Sequence, residues 1–142
     1  MAYLDRVIVV DNHEPRATAV SHLVSKHAAT VEVLLDSDNG PSNASSKFRE
    51  RINQCLADGE NVMVVFCCMT GVRGGIVNIL REAERIHEKG TRRFLVDCNP
   101  PSKVNRGFKQ RGVSRKGIKH VVYDQDGKWQ NEFSDLMEGV ER

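Results

Sequence analysis

NVMVVFCCMTGVRGGIVNILREAERI, residues 61–86, changes character twice. It opens as an apolar run rich in valine, the pattern of a short strand buried on both faces. Two cysteines and a turn holding three glycines and one arginine follow. From Ile76 the period changes, because Ile76, Ile79, Leu80, Ala83 and Ile86 recur at helical spacing. Lys89 and Gly90 stand where such a helix stops. Strand, glycine turn and helix together make the repeating unit of a parallel sheet.

The same alternation extends upstream. RVIVV (6–10) reads as a buried strand, and PRATAVSHLVSKH carries Ala17, Val20, Leu23, Val24 and His27 at helical spacing. Pro15 suits the first turn of that helix. TVEVLL (30–35) is the second strand. A turn-rich loop, DSDNGPSNASS, leads to a helix with Phe48, Ile52, Cys55 and Leu56 on its apolar face, capped by Asn43 or Ser45. Downstream, RRFLVDCN fits either a strand or a helix, PPSKVNRGFKQRGVSRKG reads as a long basic loop at about 99–118, and HVVYDQDGKW reads as a hairpin turning at Asp126-Gly127. NEFSDLMEGV closes the chain as a helix. The expected fold is α/β: a three-layer, mostly parallel sheet flanked by helices, in one domain over residues 1–142.

With 28% charged and 39% hydrophobic residues the composition is that of a soluble globular protein. No apolar run approaches the ~20 residues of a membrane span, and MAYLDRVIVV lacks the features of a secretory signal. The four cysteines, Cys55, Cys67, Cys68 and Cys98, show no metal-ligand spacing. Reduced thiols in a cytoplasmic or nuclear setting follow as the expectation. The net charge of +2 conceals a segregation: between Pro100 and Tyr123 there are seven Lys or Arg and no acid.

Ligands of open α/β sheets bind beyond the carboxyl ends of the strands. Three such ends are legible: Asp11-Asn12-His13, Asp36-Ser37-Asp38, and Cys67 through Gly75. In the third, Gly71, Gly74 and Gly75 let the backbone approach a ligand closely. Inward N–H groups and a helix N-terminus favour an anion there. The same field stabilises a thiolate, and Arg73 can clamp two phosphate oxygens through its fork. Cysteine and arginine on one strand–loop–helix unit supply what a phosphocysteine intermediate needs. Two cysteines that finish an apolar strand also suit simple packing in a core.

Residues 38–80, DNGPSNASSKFRERINQCLADGENVMVVFCCMTGVRGGIVNIL, resemble the heart of a dual-specificity protein phosphatase. In that family an aspartate general acid stands ten residues before a phenylalanine, as Asp38 stands before Phe48, with Asn43 and Ser45 between. VNRGF (104–108) resembles a further family segment, so the likeness spans roughly residues 30–108 and leaves the tail 113–142 divergent. It implies a cysteine-phosphatase-like fold, a nucleophilic cysteine, Arg73 as phosphate clamp and Asp38 as the acid that protonates the leaving oxygen. The loop residues Met69, Thr70, Gly71, Val72, Gly74 and Gly75 would then surround the phosphate.

The family signature, His-Cys-x-x-Gly-x-x-Arg followed by Ser or Thr, fits in two registers, neither intact. With Cys67 as nucleophile, Arg73 is in place but Phe66 replaces the His, Thr70 the Gly, and Gly74 the hydroxyl residue. With Cys68, Gly71 is in place but Arg73 falls one position early. Losing a charge-assisted donor of this kind costs about 10²–10³ in rate. The resemblance therefore implies a domain that binds a phosphorylated protein or phosphate ester, with hydrolysis weak or lost. An active cysteine-dependent phosphatase is the alternative, and neither reading calls for a metal or cofactor.

Three other readings stay open. His13 after the first strand, with CMTGV similar to the cysteine loop of a fructose-type phosphotransfer subunit, suggests a phosphocarrier. Asp36 and Asp38 with Asp11 offer the hard oxygen ligands that Mg²⁺ takes. The basic stretch 103–119 suits a nucleic acid or an acidic partner, although its one aromatic, Phe108, gives little for base stacking.

Overall fold

A computed structural model describes residues 4–11, 13–35, 43–67, 92–110, 112 and 117–140. The described elements run β1 (Leu4–Asp11), α1 (Glu14–Val24), β2 (Ala28–Leu35), α2 (Asn43–Ala57), β3 (Val62–Cys67), β4 (Arg92–Asp97), α3 (Pro101–Gln110), β5 (Ile118–Val122) and α4 (Lys128–Val140). The five strands form one sheet in the order β2-β1-β3-β4-β5, with every pair parallel. The segment expected as a helix from Ile76 to Ile86 lies outside the described residues.

Handedness assigns the helices to the two faces. The chain leaves β1 in one direction along the sheet to reach β2, then travels the other way to β3. Right-handed crossovers therefore put α1 and α2 on opposite faces. The step from β4 to β5 continues in the second direction, so α3 joins α2. The core divides accordingly. On one face Ile8, Val10, Val64, Phe66 and Leu95 meet Phe48, Ile52 and Cys55 of α2 and Val104 and Phe108 of α3. On the other, Val7, Val9, Met63, Val65, Phe94 and Val96 meet Ala17, Val20 and Val24 of α1 and Trp129, Phe133 and Met137 of α4. All six residues of β3 are buried, as a central parallel strand requires. β2, at the sheet edge, leaves Val33 and Leu35 exposed.

One open reading is decided and two expectations change. RRFLVD is a strand, paired to β3 from Met63↔Arg92 to Cys67↔Val96. The basic segment is not a loop over its first half: Pro101–Gln110 is α3, entered through a proline that needs no N–H partner in the first turn. No hairpin forms at Asp126-Gly127. β5 instead pairs in parallel with β4, and Gly127, at φ +81°, turns the chain into α4. A smaller shift concerns His27, which sits in the turn after α1, its amide donating to the Val24 carbonyl at 2.9 Å.

Candidate functional site

Because all the strands are parallel, their carboxyl ends share one edge. β1 lies between β2 and β3, so the strand order reverses at the ends of β1 and β3, the switch point at which doubly wound sheets place their ligands. The ladder pairs Val10 with Phe66, which makes Asp11 and Cys67 the next step on the two central strands. β4 adds Asp97 beside them, in register with Val122 of β5. The edge thus gathers the ends Asp11, Cys67 and Asp97.

Asp11 is fully buried, and its carboxylate is held from three directions. Oδ1 accepts the His13 N–H at 3.0 Å and a bond from Arg16 Nη2, while Oδ2 accepts Arg16 Nε–H at 3.0 Å. Arg16 is itself buried, and its guanidinium carbon lies 5.6 Å from the centre of the Tyr123 ring. Asp97 is likewise buried, its Oδ1 accepting both the backbone and the side-chain N–H of Asn99 at 2.8 Å. That arrangement bends the chain off β4 and into α3. The Asp97 carbonyl accepts the Tyr123 N–H at 2.9 Å, tying the end of β4 to the exit of β5.

These contacts reassign Asp11. Its carboxylate is engaged by Arg16 rather than offered to a cation, so the Mg²⁺ reading loses the one ligand that can be placed. Among the described residues no group of three or more His, Cys, Asp or Glu side chains is arranged to hold a metal ion. His13 is exposed and occupies the position before α1, where its side chain makes no capping bond.

Of the residues expected to act on phosphate, Cys67 is described. It ends β3 with 1% of its surface exposed, packed in the α1/α4 half of the core. Cys68, Met69, Thr70, Gly71, Val72, Arg73, Gly74 and Gly75 lie outside the described residues, as do Asp36 and Asp38. Arg16, Asp97 and Tyr123 escaped the sequence reading. Arg16 had a signal, since it stands four residues before Val20 and so shares the inward face of α1. Asp97 had one too: VIVVD and FLVD are both apolar runs closed by aspartate.

Among the described residues no helix is long and apolar enough to cross a membrane. No protein-family model, no curated protein and no solved structure matches the chain.

Proposed function

We propose that the chain binds a phosphorylated protein or another phosphate ester through residues 67–75, with hydrolysis weak or lost, on a cysteine-phosphatase-like scaffold. One observation carries this reading: β3 ends at the switch point of the sheet, beside β1. The segment leaving β3 therefore starts at the crevice where doubly wound sheets bind their ligands. Its glycines and Arg73 suit an anion there. The burial of Cys67 favours Cys68 as the thiol facing a ligand, because a reactive thiolate needs access. In that register Arg73 is one position early, consistent with binding that outlasts turnover.

The test is hydrolysis of para-nitrophenyl phosphate by the parent, Cys67→Ser and Cys68→Ser under reducing conditions, with melting temperatures taken in phosphate and vanadate. The expected result is little or no turnover and a rise in melting temperature with either anion. Brisk turnover abolished by one serine variant would establish an active phosphatase instead. Absence of both turnover and anion stabilisation would refute the phosphate reading.

A further inference from the structure

The basic stretch divides on folding. Lys119 extends over the α1/α4 face, its Nζ 5.9 Å from the centre of the Phe94 ring. Lys103, Arg106 and Lys109 remain together on α3, all three exposed. At ~100° per residue they span an arc of about 120°, centred opposite the buried pair Val104 and Phe108. Ser102 and Gln110, also exposed, add hydrogen-bonding groups to this outer face. A solvated helix commonly pairs its cations with acids three or four positions away. α3 has none, and the ion pairs formed among the described residues leave Lys103, Arg106 and Lys109 out.

We infer that the outer face of α3 binds the phosphodiester backbone of a duplex nucleic acid, independently of base sequence. The face carries charge and hydrogen-bond donors, the equipment of phosphate contacts. It carries no apolar anchor of the kind that centres a protein interface, because both large apolar residues of α3 point into the core. It carries no exposed aromatic on which an unpaired base would stack. Successive cations lie ~4.5 Å apart along the helix, and each strand of a duplex presents a phosphate per ~3.4 Å of axis, so the long Lys and Arg side chains reach phosphates in more than one register. An acidic peptide would have to match that spacing. This surface is built from α3 alone and draws nothing from residues 67–75, so the two assignments are tested separately.

The experiment is fluorescence anisotropy with labelled duplex DNA and duplex RNA of about 20 base pairs and mixed sequence, titrated over a range of salt. Three neutralised phosphates give a slope of log affinity on log salt near −2.7, a loss of about 40-fold between 50 and 200 mM. The triple variant Lys103→Gln/Arg106→Gln/Lys109→Gln is expected to lose at least about 10-fold in affinity with a flatter slope. Its circular dichroism and melting temperature should match the parent, and Lys109→Glu alone provides a second, milder change. The proposal is overturned if neither duplex binds at low salt, if both α3 variants bind as tightly as the parent, or if an acidic phosphopeptide of equal charge binds more tightly than the duplexes.

Discussion

Arg16 grips Asp11 through two nitrogens, Nε and Nη2, one on each carboxylate oxygen, and both side chains are buried at the carboxyl end of β1. Breaking such a pair from one side leaves an uncompensated charge out of water. Asp11→Ala is therefore expected to destabilise the fold by about 3–5 kcal/mol, whereas Asp11→Asn, which keeps hydrogen-bond acceptance, should cost less. Urea unfolding followed by circular dichroism checks both. Near-parental stability in Asp11→Ala would mean that Arg16 is hydrated.

A second charge network lies on the opposite face. Arg6 Nε donates to Glu60 at 2.9 Å, and Arg51 Nε and Nη2 donate to Glu32, which also accepts from Arg6. The bond from Arg51 holds the Glu32 carboxyl below the ordinary 4.5, and the bond from Arg6 does the same for Glu60. Carboxyls with lowered folded values stabilise fully above their unfolded value and lose that contribution as pH falls through the folded one. Stability should thus decline below about pH 4.5. Glu32→Gln should cost about 1 kcal/mol at neutral pH and flatten the decline. An equally steep acid limb in that variant would assign the effect to other carboxyls.

The cysteines should differ in reactivity. Burial, with a hydrogen bond to Glu60, pushes the Cys55 thiol up from 9.0 to about 11. Cys67 is buried and Cys98 is exposed. In Cys68→Ser, a disulfide reagent near neutral pH should titrate Cys98 quickly and reach Cys55 and Cys67 only on unfolding. Mass mapping of the modified peptides decides this. Rapid labelling of Cys67 would favour the register in which it faces the ligand. Since Cys55 has a raised value, its contribution is intact below 9.0 and is lost as pH rises toward about 11.

Period and burial explain which elements were legible in the sequence. β1 and β3 are buried on both faces, so continuous valine runs announced them. α1 and α2 each turn three or more apolar residues inward, which is enough to show a helical period. α3 turns in only Val104 and Phe108, and Gly107 lies between them, so cations outnumbered the signal. The edge of the sheet was legible because parallel strands bring their ends together. Asp97 carried only the partial signal of an apolar run closed by aspartate, because its role depends on β4 being a strand, and that was decided by pairing with β3. The pairing of Arg16 with Asp11 needed the turn geometry between β1 and α1.

α3 offers a direct check on its own assignment. Phe108 is 2% exposed and belongs to the core on the sheet face that α2 also covers. In a solvated basic loop Phe108→Ala would be nearly silent. Packed as described, it should cost about 3–5 kcal/mol in urea unfolding, while Lys109→Ala, on the outer face, should stay within about 0.5 kcal/mol. Equal, small effects would return the segment to a loop.

Asp126-Gly127 carries a strong short turn signal, and the residues from 128 onward decide which turn it makes. A hairpin would continue with alternating residues. Trp129, Phe133 and Met137 instead recur every four residues and are all buried against the α1 side of the sheet. The glycine is needed in either case, because φ at 127 is +81°. A Cβ added there meets nothing within 4 Å, so the cost of Gly127→Ala is conformational and should be about 1 kcal/mol. Gly127→Asn should cost less, since asparagine tolerates the left-handed region better. If both variants were as stable as the parent, α4 would not depend on that backbone geometry. If Gly127→Ala cost several kcal/mol, a packing clash rather than backbone strain would be responsible.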